Sequence, residues 1–152
     1  MSEGNGQRIK VTVQWVQILD NLEPAFKEKG EFVFRSVVTS DNLPGEKHES
    51  RYPATGHISI SDQPVVNREI IKWSIFEGTV SDHLVIELFG EELDTLTAND
   101  HLDNYRREFS GPVAGWIGTY GPGEDFKSDD HGHDDDPEMM SNWRVNIYID
   151  PA

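Results

Sequence analysis

Apolar and polar residues alternate with a period of two along much of this chain, and that alternation constrains the fold more than any other feature. In the segment His83 to Phe89, Leu84, Ile86 and Leu88 share one face while His83 and Glu87 point the other way. Near the end of the sequence, Trp143, Val145, Ile147 and Ile149 alternate with Arg144, Asn146 and Tyr148. Ile9, Val11, Val13 and Trp15 do the same against Lys10, Thr12 and Gln14, after which Val16 and Ile18 shift the parity. Residues two apart lie on one side of an extended chain, so each stretch reads as a half-buried strand. The parity shift predicts a β-bulge near Trp15–Val16.

Further strands are expected over Glu31 to Thr39, within Ser40 to Ala54 as an edge strand, over Gly56 to Ser61, and over Arg68 to Phe76. In the last of these Ile71, Trp73 and Ile75 share a face, and the apolar residues on both faces predict a central position in a sheet. Turn signals separate the strands, among them Asn42-Leu43-Pro44-Gly45 and the Pro64 stretch from Asp62 to Asn67. Asn104 to Phe109 is expected to form a short helix capped by Asn104, and Pro112 to Tyr120 a Gly-interrupted strand. About seven or eight short strands with little helix mean an all-β sandwich or barrel. The four tryptophans fall in strand-like segments and belong to the core, with Trp116 the one that also suits an exposed binding loop.

A chain of 152 residues suits a single domain, here 8–150 behind a flexible tail at 1–7. The net charge of −15 is unevenly spread. Glu87 to Asp103 holds six acids and no Lys or Arg, and Glu124 to Glu138 holds eight acids against one lysine, so these two stretches carry nearly the whole excess. Such a surface repels phosphate, which argues against a nucleic-acid partner. With no cysteine, disulfides, thiolate metal sites and thiol nucleophiles are excluded. No apolar run is long enough for a transmembrane segment and the first residues have no signal-peptide core, so the expected location is cytoplasmic.

The first acid-rich stretch brings Glu92, Asp94 and Asp100 within reach of one another. Glu92 and Asp94 lie two apart, and the five residues from Thr95 to Asn99 are enough to return Asp100 beside them. Clustered carboxylates repel, and a divalent cation with hard oxygen preferences, calcium above all, relieves that repulsion. The pattern Glu92-Leu93-Asp94, five residues, then Asp100-His101-Leu102, following a strand of alternating aliphatics, resembles the third-loop signature of C2 domains. The resemblance implies a C2-like antiparallel β-sandwich of about eight strands with long acidic loops at one end. It also implies a non-enzymatic binding module in which Glu92, Asp94 and Asp100 hold calcium and dock an anionic lipid or protein partner. From the first loop, Glu31 in Gly30-Glu31-Phe32-Val33 is the better match for a further ligand, with Asp20 and Glu23 as weaker candidates.

Other readings of the same residues stay open. The acids also suit a solvated rim that keeps a loop soluble, or a calcium-independent surface for a basic protein partner. A small carboxylate-dependent hydrolase would need two such acids, but the sequence has no nucleophile elbow, phosphate loop or His-Glu-x-x-His. The second acid-rich stretch, within a loop expected to be long and mobile at 121–141, includes Asp129-Asp130-His131-Gly132-His133-Asp134. It offers two imidazoles without a fixed third ligand.

Overall fold

The strand His83–Glu92 (β6) buries every second residue from Leu84 onward, as its sequence requires. A computed structural model describes residues 6–18, 29–40, 47–61, 68–93, 100–120 and 143–152. Around β6 it arranges β1 (Gln7–Ile18), β2 (Lys29–Ser40), β3 (Lys47–Tyr52), β4 (Ile58–Ser61) and β5 (Arg68–Val80). After β6 come β7 (Asp100–His101), β8 (Tyr105–Ser110), a 3-10 turn (Val113–Trp116), β9 (Gly118–Tyr120) and β10 (Trp143–Pro151). All pairings are antiparallel and form two sheets. One has the order β5-β1-β10-β9. In the other, β2 and β6 are central, with β3 and β4 on the outer side of β2 and β7 and β8 on the outer side of β6.

The inward rows of the two sheets merge into one apolar core. Ile9, Val11, Val13, Ile147 and Ile149 supply one side and Phe34, Val38, Leu84, Ile86 and Leu88 the other. Each fully buried aliphatic or aromatic side chain of this kind stabilises the fold by about 1.5–3 kcal/mol relative to exposure. Trp73, Trp116 and Trp143 join the core, and Trp15 is buried as well. Trp116 is sealed in, 3% exposed, with its indole Nε1 donating to the Ser110 carbonyl. Among the described residues no helix is long and apolar enough to cross a membrane.

The expected bulge in β1 is present, the register slipping between Val13 and Trp15. The structure corrects two expectations. β5 is an edge strand, pairing only with β1 among the described residues, and Ile70 is 66% exposed. Its two-faced pattern comes from irregular pairing. Ile75 has no partner between the Phe76 and Ser74 pairs, so Ile75 and Phe76 both turn inward, and Lys72 adopts a left-handed φ of 48° at a second slip. The stretch from Asn104 to Phe109 is strand β8, not helix. Tyr105 and Phe109 are buried and four apart, a spacing that suits either a helical stripe or alternate positions of a strand; pairing with β6 decided it.

The registers also fix which segments share an end of the sandwich. Only Ser81 and Asp82 separate β5 from β6, so Val80 and His83 lie at the same end, and Gln7 pairs with Val80 there. At the opposite end, Ile18 pairs with Trp143, Gln17 with Arg68, Lys29 with Ser61, and Glu92 with Asp100. β9 also runs toward that end, Tyr120 lying opposite Ile147. The described residues that flank 19–28, 62–67, 94–99 and 121–142 therefore all lie toward this one end, whereas those flanking 41–46 lie at the other.

Candidate functional site

The strands that flank both acid-rich stretches run to that end, and the first stretch is rooted in β6. The inward row Leu84, Ile86, Leu88, Gly90 continues to Glu92, whose side chain is 1% exposed and faces inward beside Phe32. Burying a carboxylate is costly unless its charge is compensated, so this position marks the inner wall of the acidic end as a special environment.

The stems of segment 94–99 are tied down. On the departing side, Leu93 N–H donates to the Glu31 carbonyl at 2.7 Å. On the returning side, Asp100 pairs with Glu92, and Leu102 N–H donates to the Gly90 carbonyl at 2.9 Å. Leu102 drops into the core over Gly90, where a Cβ on residue 90 would come within 2.5 Å of Leu102 Cδ1. Glycine is therefore required for this close approach. Trp143 completes the anchor from the other sheet: its ring stacks on Phe34 at 5.5 Å, and its Nε1 donates to the Asp103 carbonyl at 2.6 Å.

Of the residues singled out in the sequence, Glu92 and Asp100 are brought into register across β6 and β7. Asp94, Asp20 and Glu23 lie outside the described residues, as do His131, His133 and the whole 124–138 stretch. Glu31 is not brought beside Glu92. In the β2–β6 ladder Phe32 is the partner of Glu92, so Glu31, one residue away, faces the other side. Its Oε2 lies 3.2 Å from His57 Nε2. Neighbouring Glu91 also points outward, 3.9 Å from Arg35 Nη1 and 4.0 Å from His101 Nδ1. Glu31 and Glu91 thus already have basic neighbours. Among the described residues no three His, Asp or Glu side chains gather into a metal-holding group.

Sequence reasoning missed the inward orientation of Glu92, although the signal was present: the alternation of Leu84, Ile86 and Leu88, carried on through Gly90, lands on it. It also missed the ion pair at the far end of the sandwich, where His83 Nε2 lies 2.5 Å from Glu108 Oε2. The hydrogen bond to His83 is the main cause that holds the Glu108 carboxyl below the usual carboxylate range, opposed by desolvation and helped by Arg106. Between β8 and β9, Arg107 lies over the rings of Tyr105 and Tyr120 and donates to the Tyr105 hydroxyl. Burial pushes the Tyr120 phenol up, and its hydroxyl donates to the Trp116 carbonyl at 2.7 Å.

No family model matches the sequence, and no curated protein matches it. Solved structures do. Human GIVD cytosolic phospholipase A2, in complex with methyl gamma-linolenyl fluorophosphonate, aligns at 11% identity and a TM-score of 0.48 over 95% of this chain and 17% of that one. The present chain thus spans about a sixth of that protein's length. A C2 domain of plant Extended Synaptotagmin 1 aligns at 8% identity and a TM-score of 0.40, covering 96% of this chain and 95% of that domain. Another structure described as a C2 domain aligns at 13% identity and 0.38, over 94% and 97%. With its two antiparallel sheets, the chain has the all-β sandwich architecture that its sequence led us to expect.

Proposed function

We propose that the chain is a non-enzymatic binding module whose acid-rich end takes up a calcium ion and, through it, an anionic lipid or protein partner. The observation that carries this reading is the strand register, which brings the stems of both acid-rich stretches to one end of the sandwich. Glu92 and Asp100, whose backbones are in register there, are joined as ligands in this proposal by Asp94 and by Asp20 from the segment after β1. Glu31 is left out, because it faces the other side of the ladder. An all-oxygen donor set of this kind suits calcium, which accepts six to eight ligands in loose geometry and leaves room for carbonyls and water. When bound, the ion supplies positive charge that offsets the repulsion between the acids and offers open positions to a phosphate or carboxylate. The chain's own part is to hold the carboxylates on stems fixed by Gly90, Leu102 and Trp143, so that little is lost in ordering them.

Calorimetry and thermal melts with calcium test the proposal. At a hundredfold excess over Kd the ion adds about 2.7 kcal/mol to stability, which for a chain of this size raises Tm by roughly 5–10 °C. Asp94→Ala with Asp100→Ala is expected to abolish both the heat and the shift. No heat and no shift at millimolar calcium with the unaltered chain would remove the ion from the mechanism. Capture of a partner that persists in chelator and weakens steeply with salt would point instead to the calcium-independent protein surface.

A further inference from the structure

The outer face of the β5-β1-β10-β9 sheet holds a groove of about 300 Å³, far from the acid-rich stretches in character and built from a different set of residues. Its shape follows from the register. Thr12 of β1 lies opposite Ser74 of β5 and Tyr148 of β10, so two short hydroxylated side chains form a low floor with an aromatic ring at one side. Along β1 toward Gln7, Lys10 stands opposite Asp150 and forms one rim. Along β1 toward Ile18, the register slip lifts Lys72 out of the ladder to form the other rim, its φ of 48° being sparsely populated for a residue with a side chain. Gln14, at the bulge, closes the remaining corner and is held by its Nε2 donating to Asn146 at 2.8 Å.

The groove is unusual for this molecule in its charge. Neither the Lys10 nor the Lys72 ammonium lies within ion-pair distance of a carboxylate among the described residues, although Lys10 stands in register between Asp150 and Glu77, the latter 3.3 Å from Arg8. Two lysines lining one groove with two hydroxylated side chains between them in register suit a doubly charged anion, since each bond to it is charge-assisted. Asp150 repels an anion on its own side, so whatever lies there must present neutral donors such as alcohol hydroxyls. Tyr148, 37% exposed, gives a flat apolar surface against which a carbon skeleton can pack.

We propose that this groove binds a small soluble phosphate monoester of a polyol, such as a sugar or cyclitol phosphate. The phosphate lies between Lys10 and Lys72 over the Thr12 and Ser74 hydroxyls. The polyol's hydroxyls donate to Asp150, and its carbon face rests on Tyr148. The volume is at the lower end of the range for small-molecule pockets and matches a ligand of that size. A soluble source is favoured over a lipid headgroup because laying this face on an anionic bilayer would also bring up a chain of net charge −15.

Isothermal titration of the full chain with glucose 6-phosphate, inositol 1-phosphate, inorganic phosphate and glucose tests the proposal. At least one monoester is expected to give saturable heat, inorganic phosphate to bind more weakly, and glucose not to bind. Lys10→Gln and Lys72→Asn are each expected to lower the affinity roughly tenfold or more, and Lys47→Gln on the other sheet to leave it unchanged. Amide shifts of Thr12, Ser74 and Tyr148 on titration give a second readout should Lys72→Asn fold poorly. The chelator-treated protein is expected to bind the monoester as well as the untreated one, which separates this site from the calcium reading. Absence of heat with both monoesters, equal affinity for inorganic phosphate, insensitivity to both lysine substitutions, or binding only to vesicles containing phosphatidylinositol would each overturn it.

Discussion

Replacing Gly90 by alanine adds one methyl group at the most crowded point of the acidic end. The new Cβ would lie 2.5 Å from Leu102 Cδ1, 3.2 Å from Leu102 Cγ and 3.2 Å from Phe34 Cδ1. The first contact is with the tip of a flexible side chain, but Leu102 is buried and cannot swing into solvent without leaving the core. Phe34 cannot retreat either, because Trp143 is stacked on its ring. Overpacking of this kind costs about 1–3 kcal/mol, a fall in Tm of roughly 2–4 °C for each kcal/mol in a chain of this length. Relief should come from the neighbour. Leu102→Ala alone costs about 2–5 kcal/mol by leaving a cavity, and in the double variant the added methyl occupies part of that space. Urea denaturation of the two single variants and the double variant closes the cycle. The double variant is expected to be more stable than the sum of the single costs by about 1–3 kcal/mol. If Gly90→Ala stays within about 0.5 kcal/mol of the unaltered chain, or the two costs simply add, the close approach at Gly90 is not what fixes the stem.

Trp143→Phe keeps a ring on Phe34 but loses the donor to the Asp103 carbonyl, and is expected to cost roughly 1–3 kcal/mol and to speed hydrogen exchange of the Leu102 amide. An unchanged exchange rate there would mean that the indole does not hold the stem. At the other end, Glu108 has its carboxyl held below its ordinary value of 4.5. Its contribution to stability is therefore complete above that value and lost as pH falls through the lower, folded one. The small advantage over Glu108→Gln measured near pH 6 is expected to fall away as acid takes the pH down through the lowered, folded value and to shrink with added salt, and an advantage that stayed constant into strong acid would contradict it.

The alternating segments made the strands legible because a period of two with β-branched and aromatic residues leaves little else for the chain to form. β6 follows the pattern throughout, and β10 follows it from Ile147 onward, Arg144 and Asn146 being buried as well. Where the period was interrupted, the sequence misled in an instructive way. In β5 adjacent apolar residues look like burial on both faces, whereas a slip in pairing rotates one of them inward, and slips depend on the partner strand. In β8 a spacing of four is common to both periodicities, so only the pairing with β6 could decide. The candidate site was legible as chemistry but not as placement. Its acids are plain in the sequence, yet which face Glu31 and Glu92 take depends on the ladder that joins β2 to β6. The Lys10–Lys72 groove left no mark at all, since its two rims lie 62 positions apart and meet only through a bulge.

The two polar regions of the molecule are kept apart by the way the sandwich closes. Strand pairing commits nearly all inward positions to the core, so charge has only the outer faces and the ends to occupy. Gathering like charges at one end raises the free energy of the folded chain, the more so at low salt. A fold tolerates that strain only if the roots of the segments are held by interactions that the repulsion does not touch. Here they are: the Leu93–Glu31 and Leu102–Gly90 backbone bonds, the burial of Leu102 and the Trp143–Asp103 bond are all neutral. Salt should therefore stabilise the unaltered chain by screening the acids while leaving the Gly90 and Trp143 variants just as far below it, because the costs of those substitutions are steric and hydrogen-bonding in origin. A salt series of melts on all three chains reads this directly, and a cost that collapsed at high salt would show that the stems are held by charge after all.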